Sequence, residues 1–133
     1  TCALPILKLE RLTLAIAEHE GWKTQLDNSE NLGSKSYRFH NPGNLRKSPF
    51  AVGIIDGFAV FKTDQDGFAA LRWDIRQKAI GNTVTGLNGD STLANLIYIW
   101  APKSDGNDPE AYLKSVEKNS GLDRNTKLRD IVG

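Results

Sequence analysis

The sequence predicts an α+β fold that is mostly helical and carries one small β-hairpin. Two observations support this prediction: three segments place apolar residues at helical spacing and a fourth carries helix-capping residues, and one Asp-Gly pair stands between β-branched and aromatic residues. The 133 residues fit one domain spanning 1–133, because folding a chain of this size buries roughly 65–70% of the surface that the unfolded chain exposes. No repeat, linker or low-complexity tract divides the chain.

The first two helices are predicted at residues 5–20 and from about Asp64 to Ala79. Pro5 suits a first helical turn, and Gly21 is a typical C-terminal stop. The second helix has acidic residues in its first turn and basic residues later, as the helix dipole favours. The apolar stripes consist of Leu9, Leu12, Ala15 and Ile16 in the first helix, and of Phe68, Leu71, Ile75 and Ala79 in the second.

Three further helices are predicted towards the C-terminus. The segment "DSTLANLIYIWAP" has Ser91 as its expected N-cap and Pro102 just past its end. The segment "NDPEAYLKSVEKNSG" has Asp108 as cap, Pro109 at the first helical position and Gly121 as stop. A short last helix is expected near 125–131. The side chains expected to face inward from the third helix are Leu93, Leu96, Ile97 and Trp100.

Two tight turns are predicted among the remaining residues. Asp56-Gly57, within "AVGIIDGFAVF" at 51–61, indicates a hairpin. Asn41-Pro42-Gly43-Asn44 indicates a turn in which Pro42 presets the second position and Gly43 supplies a positive φ. The polar segment 23–36 has no helical or strand pattern and is long enough to border a binding site.

Composition excludes several classes of function. The chain has 17 basic and 16 acidic residues without a concentrated basic face, so nucleic acid is not an expected partner. Cys2 is the single cysteine, which excludes an internal disulfide. The sequence contains no run of 18 apolar residues, so no membrane-spanning helix is predicted. His19 and His40 are too distant in sequence for a short metal motif, and no phosphate-binding or dinucleotide pattern occurs, so neither metal nor cofactor is expected. A monomer is expected, since no long apolar seam remains.

Glu20 is the candidate catalytic residue. It stands at the predicted C-terminal end of the first helix, where the dipole disfavours negative charge, and Trp22 could desolvate it. Both effects would raise the pKa of its carboxyl, as a general acid near neutral pH requires, while Lys23 would lower it. A solvated glutamate beside a glycine stop is the alternative. Glu18 points to a different face of the helix, so the two glutamates are not a dyad.

Three aromatic residues allow two interpretations. Tyr98, Trp100 and Tyr112 lie on the third and fourth predicted helices, and burial in the core is the commoner fate of such side chains. Aromatic rings also stack on sugars, so some of them could line a binding groove.

The order of several short segments resembles a family of phage and bacterial lysozyme-like proteins. The segments are "AIAEHEGW", "HNPGNLR", "GFAVFKTDQDGFAAL", "TLANLIYIWAP" and "NDPEAYLKSV", and together they span about residues 12–121. The family is similar to lytic transglycosylases and goose-type lysozymes. The resemblance implies a lysozyme-like fold with the small hairpin beside a cleft.

The resemblance also implies roles for single residues. Glu20 matches the catalytic acid, and Asn41 and Asn44 match an "NPGN" element that lines the cleft near it. The other substrate-binding residues that it implies are Phe61 of "GFAVF", Tyr98, Asn107 and Tyr112.

The sequence departs from the family pattern at two points. Phe39 and His40 stand where the family often has further asparagines, and the segment 23–36 matches nothing in the pattern. No second carboxylate is unambiguous: Asp56, Asp64 and Asp66 are candidates, but each is also explained as a turn or helix-start residue, and Asp56 is assigned mainly to the hairpin turn.

The activity implied is cleavage of the β-1,4 bond between N-acetylmuramic acid and N-acetylglucosamine in peptidoglycan glycan strands. A lytic transglycosylase, in which one glutamate is first acid and then base, is favoured over a hydrolytic lysozyme by the missing second acid. A periplasmic, cell-surface or secreted bacterial location, or a phage source, follows from the resemblance. The alternatives are a non-catalytic glycan-binding or virion structural module on the same fold, and a helical interaction domain without affinity for glycans.

Overall fold

The computed structural model describes residues 7–22 and 34–133 and confirms an α+β chain that is mostly helical with one small hairpin. The helices are α1 Lys8–His19, α2 Lys35–Arg38, α3 Asp64–Ala79, α4 Leu93–Trp100, α5 Pro109–Ser120 and α6 Leu128–Val132. The strands are β1 Gly53–Ile55 and β2 Phe58–Val60, and a short 3-10 helix spans Lys103–Asp105.

The chain divides into two compact units. One, called the hairpin unit below, is Thr13–Asp74, and the other, called the helical unit, combines Thr1–Leu12 with Ile75–Gly133. The boundaries fall inside α1 and inside α3. A single domain over 1–133 stays a prediction.

The helix predicted at 5–20 is α1 Lys8–His19, and Pro5, expected in its first turn, lies outside the described residues. Two later helices follow their predicted ends, and α4 does not. α3 and α5 begin and end where predicted, and Asp108 caps α5 by accepting a hydrogen bond from the Ala111 N–H at 3.1 Å. The expectation that Ser91 caps α4 is wrong. Thr92 is the cap, because Thr92 and Asn95 form a reciprocal capping box in which each side chain accepts from the other's backbone N–H.

The segment predicted to lack regular structure contains a helix at its end. Residues 23–33 lie outside the described residues, but Ser34 caps α2 by accepting from the Tyr37 N–H at 3.2 Å. The four-residue helix has no apolar periodicity, so the pattern that revealed the longer helices was absent. The last helix begins at Leu128 and ends at Val132, slightly later than the predicted 125–131.

In the hairpin unit, β1 and β2 pair antiparallel with Ile55 opposite Phe58. Asp56 and Gly57 have φ values of 52° and 81°, so the predicted two-residue hairpin turn is confirmed and is of type I′. The other edge of β2 bonds to the preceding loop, since the Ala59 N–H donates to the Leu45 carbonyl and the Phe61 N–H to the Phe39 carbonyl, both at 2.9 Å. The loop from Phe39 to Leu45 is therefore held at both ends by β2 and the residue that follows it.

In the helical unit, α4 packs against α5, and their apolar faces form the core. Two backbone N–H groups in the first turn of α4, which lack partners within the helix, bond to the C-terminal loop. The N–H groups of Leu93 and Ala94 donate to the carbonyls of Thr126 and Arg124 at 2.9 and 3.0 Å. Fully buried side chains of this core include Leu93, Leu96, Ile97, Leu113, Val116 and Leu128. Within the described residues, no helix combines the length and the apolar character needed to cross a membrane.

Candidate active site

Glu20 is the C-terminal cap of α1, and its backbone position is fixed by a Schellman motif. The Gly21 N–H donates to the Glu18 carbonyl at 3.1 Å, and the Trp22 N–H donates to the Ala17 carbonyl at 2.9 Å. Gly21 has a φ of 83°, which is the left-handed conformation that this motif requires. The sequence "EGW" therefore ends the helix and fixes the point from which the Glu20 side chain projects.

The turn predicted at residues 41–44 forms, but its backbone differs from the expected one. The Asn44 N–H donates to the Asn41 carbonyl at 2.9 Å and closes the turn. The expectation that Gly43 supplies a positive φ is wrong; instead His40 and Asn44, with φ values of 54° and 52°, adopt the left-handed conformation on either side of it. Histidine and asparagine are among the residues that tolerate this conformation best. The strain thus lies at the two ends of the turn.

The two glycines of this region allow close contacts, one with a backbone carbonyl and one with a side chain. An ideal Cβ on Gly67, in the first turns of α3, would lie 1.9 Å from the His40 carbonyl oxygen and 2.7 Å from the Pro42 ring. A Cβ on Gly43 would lie 2.6 Å from a methyl group of Leu71. The "NPGN" turn therefore sits directly on α3, and two segments far apart in sequence depend on each other's lack of a side chain.

Asn41 organises the loop through a buried side chain. Its exposed fraction is 0%, and its Nδ2 donates to the carbonyls of Leu45 and Ala59 at 2.8 and 2.9 Å. Its Oδ1 accepts from the Leu45 N–H at 2.9 Å. Because both amide hydrogens and the oxygen are bonded to backbone, the amide is committed to holding the turn against β2. The resemblance implies that Asn41 contacts a substrate. This stays a prediction, and the burial of the side chain does not support it.

Asn44 is the asparagine that reaches Glu20. Its Nδ2 donates to the Oε1 of Glu20 at 3.2 Å, which joins the end of α1 to the turn 24 residues later. The Oδ1 of Asn44 is buried and has no hydrogen-bond partner among the described residues. A buried amide oxygen without a partner is uncommon in proteins, because it loses its bonds to water without replacement. Asn44 therefore combines a bond to the candidate acid with an unused acceptor.

A second set of contacts joins the same segments. The Oδ1 of Asp64, at the start of α3, accepts from the indole Nε1 of Trp22 at 3.1 Å and lies 3.0 Å from the Nδ1 of His40. The Trp22 ring also packs edge-on against Phe68, with centroids 5.0 Å apart. The residues that flank Glu20 and Asn44 in sequence are therefore fixed to α3 by one carboxylate.

His40 was not singled out by sequence reasoning, which treated it as an isolated histidine. The partner of its ring, Asp64, is 24 residues away, and no local spacing rule connects the two positions. Asp64 was considered only as a possible second carboxylate or a helix-start residue. A signal was nevertheless present: the order "EGW", "HNPGN", "TDQDG" is the order of the three segments that meet here.

The other residues expected to bind substrate are placed as follows. Phe61 belongs to the hairpin unit and is 1% exposed, so its ring lies in the core. Tyr112 of the helical unit is 3% exposed and is also in a core. Asn107 is exposed and donates weakly to the Pro102 carbonyl at 3.4 Å. Their roles in substrate binding stay predictions.

Tyr98 has an exposed ring, but its hydroxyl is committed to an ion cluster of the helical unit. The hydroxyl donates to Glu110 at 2.8 Å, and this bond raises the pKa of Tyr98. Arg124 donates to both oxygens of Glu110 and also to Glu117. The Arg124 bonds, followed by the Tyr98 bond, lower the pKa of Glu110 to about 2. Every charged group of this cluster has a partner, which is typical of a structural network.

Among the described residues, no group of three or more histidine, cysteine, aspartate and glutamate side chains is arranged to hold a metal ion. The chain was also compared with known proteins. No family model matches it, and neither the curated proteins nor the solved structures include a significant match.

Proposed function

We propose that the chain is a peptidoglycan-cleaving glycosidase with a lysozyme-like fold, in which Glu20 is the general acid. The bond cleaved is the β-1,4 link between N-acetylmuramic acid and N-acetylglucosamine. A lytic transglycosylase is favoured over a hydrolytic lysozyme. The proposal rests on the resemblance of the ordered segments and on one structural observation.

That observation is the hydrogen bond from Asn44 to Glu20. The resemblance implies a catalytic glutamate at the end of a helix and an "NPGN" element beside it, and the two groups are 3.2 Å apart in the hairpin unit. Closeness in sequence does not explain this contact, because the two residues are 24 positions apart. The agreement between an expected role and an independent contact supports Glu20 as the reacting acid.

The contact also suggests how the proton is directed. When Glu20 is protonated, the amide hydrogen of Asn44 on Oε1 favours the proton on Oε2, and this is the oxygen that we propose donates it to the glycosidic oxygen. Transfer of this proton releases the leaving sugar as positive charge develops at the anomeric carbon. Asn44 is neutral, so it orients the carboxyl group without a neighbouring charge.

The second step distinguishes the two reactions. In a transglycosylase the C6 hydroxyl of the muramic acid attacks its own anomeric carbon, and the Glu20 carboxylate accepts the hydroxyl proton, which restores the acid. In a hydrolase a water attacks instead, usually with help from a second carboxylate. Asp64 is such a carboxylate in the hairpin unit, but its Oδ1 is occupied by Trp22 and His40. The single-acid reaction therefore remains favoured.

Digestion of purified peptidoglycan tests the proposal. The protein is expected to release soluble muropeptides, and mass spectrometry is expected to find 1,6-anhydro ends, which lack one water relative to hydrolysed ends. Reducing ends without the anhydro form would make the protein a hydrolase. Sedimentation with peptidoglycan without any release would contradict an enzyme and favour a glycan-binding module. Neither binding nor release would favour a helical interaction domain.

A further inference from the structure

Positive charge is concentrated in one stretch of the hairpin unit, although the chain as a whole is nearly neutral. Between Ser34 and Lys62 there are five basic residues and a single acidic residue, Asp56 in the hairpin turn. The basic residues are Lys35, Arg38, Arg46, Lys47 and Lys62. This stretch comprises α2, the "NPGN" turn and the hairpin, which the bonds of β2 hold together as one folded piece.

Two of these cations converge on one aromatic ring. The Nζ of Lys35 and the guanidinium carbon of Arg46 each lie 4.9 Å from the centroid of the Phe58 ring. The two positive charges are therefore within about 10 Å of each other, which does not exceed the screening length at about 0.1 M salt. They repel each other, and the ring compensates only part of this cost.

Neither cation has a carboxylate partner among the described residues. The ion pairs found there involve other groups, and in the helical unit Arg124 binds two glutamates. Arg38 and Lys47 form no ion pair in this part of the chain either. Lys35 and Arg46, called the Phe58 pair below, are thus two neighbouring cations that an aromatic ring holds and that have no carboxylate partner within residues 7–22 and 34–133.

We propose that the Phe58 pair binds a carboxylate group of peptidoglycan. This inference depends on the proposed function, which makes peptidoglycan the substrate. The sugars of that polymer are uncharged, and the carboxylates of its peptide stems carry the negative charge. Arginine can bind a carboxylate through two parallel hydrogen bonds, and lysine adds a second charge without a fixed direction. The pair therefore recognises the peptide stem, while the Glu20 region acts on the glycan.

Binding to chemically altered peptidoglycan tests this site. The protein with Glu20→Gln, which leaves the polymer uncut, is mixed with sacculi stripped of phosphate polymers and with the same sacculi after carbodiimide-driven amidation of their carboxylates. The double variant Lys35→Gln/Arg46→Gln is expected to bind the unmodified sacculi about five- to tenfold more weakly, as for two exposed charge contacts. Amidation is expected to weaken the parent by a similar factor and to leave the double variant unchanged.

The control variant is Lys103→Gln/Lys118→Gln, which removes two exposed charges of the helical unit and is expected to bind like the parent. The charge-retaining variant Lys35→Arg/Arg46→Lys is expected to keep most of the affinity, which assigns the effect to the charges, and an unchanged thermal unfolding of the double variant shows that it is folded. Equal binding by the parent before and after amidation would overturn the proposal. An effect of the double variant seen only on sacculi that keep their phosphate polymers would overturn it in favour of a phosphate ligand.

Failure of this site is distinguishable from failure of the proposed function. The protein with its native Glu20 is incubated with the unmodified sacculi, and released muropeptides are measured beside the binding comparison. If muropeptides are released and binding is the same before and after amidation, the carboxylate site is contradicted and the glycosidase is not. Binding that depends on amidation without any release supports the carboxylate site and contradicts the glycosidase.

Discussion

The polar cluster around Asn44 and the ion cluster around Arg124 differ in how completely their groups are paired. In the helical unit, Arg124 binds Glu110 and Glu117, and Tyr98 adds a further donor to Glu110. In the hairpin unit, Asn44 donates to Glu20 but keeps a buried oxygen without a partner in the described residues. A cluster whose groups are all paired needs no role beyond stabilising the fold. A buried acceptor without a partner lowers the stability of the fold by about 1–3 kcal/mol, which suggests that a ligand uses it.

The two asparagines of the turn show the same difference at closer range. Asn41 has its amide engaged by three backbone bonds, and Asn44 has one bond to a carboxylate. We therefore expect substitutions of Asn41, and of the residues that pack against the turn, to lower stability. Substitutions of Asn44 are expected to lower activity. The following predictions are ordered by their expected effect on the free energy of unfolding.

Asn41→Ala is expected to have the largest effect. It leaves the Leu45 N–H and the carbonyls of Leu45 and Ala59 without their side-chain partner in a buried site. The expected loss is at least about 3 kcal/mol, since each unsatisfied buried group costs about 1–3 kcal/mol. Urea denaturation measures it, with the exposed Asn119→Ala as control. A loss below about 1 kcal/mol would show that Asn41 does not hold the turn.

Gly67→Ala is expected to cost about 2 kcal/mol or more, because the new Cβ meets the carbonyl oxygen of His40 and overpacking typically costs 1–3 kcal/mol. Gly53→Ala is the matched control, since a Cβ there meets nothing within 4 Å. Thermal unfolding of both variants compares them. Equal stability of the two variants would contradict the close packing of the turn on α3.

Glu110→Gln tests the ion cluster through pH. The pKa of Glu110 is about 2 in the folded chain and ordinarily 4.5, so its stabilising effect is fully present above about pH 5 and is lost as the pH falls towards 2. The variant is expected to be less stable than the parent at pH 6, and the difference is expected to shrink at pH 2.5. A difference that stays constant across this range would contradict the depressed pKa.

Asn44→Gly is expected to change stability by only a few tenths of a kcal/mol, because glycine adopts the left-handed conformation without strain. Muropeptide release is expected to fall about 10- to 100-fold, since the carboxyl group of Glu20 loses its orienting donor. Release at the parental rate by a folded variant would remove Asn44 from the site. A large loss of stability instead would make it a structural residue like Asn41.

The sequence predicted the parts of the fold that depend on local signals. The Asp56-Gly57 turn, the Asp108 cap of α5 and the helical periodicity of α3 all act within a few residues. The geometry around Glu20 depends on contacts across 24 to 42 residues, from Asn44 to Glu20 and from Trp22 to Asp64. Spacing rules do not reach that far, so His40 was overlooked and the two asparagines were treated alike.

The conformation of Gly43 illustrates the same limit. A glycine after proline in a turn indicates a positive φ when only local rules are considered. The actual reason for this glycine is the methyl group of Leu71, 2.6 Å from where its Cβ would lie. Such a contact is set by the packing of the turn on α3, which local sequence does not encode.

The measurement that tests the central claim most directly is the initial rate of muropeptide release by Glu20→Gln, compared with Glu18→Gln at equal folded protein. Glu18 is an exposed neighbour on α1, so its variant carries the same loss of charge without touching the site. The account predicts that Glu18→Gln keeps the parental rate and that Glu20→Gln loses at least about 100-fold, as for removal of a general acid. A Glu20→Gln variant that releases muropeptides as fast as the parent would contradict the assignment of Glu20.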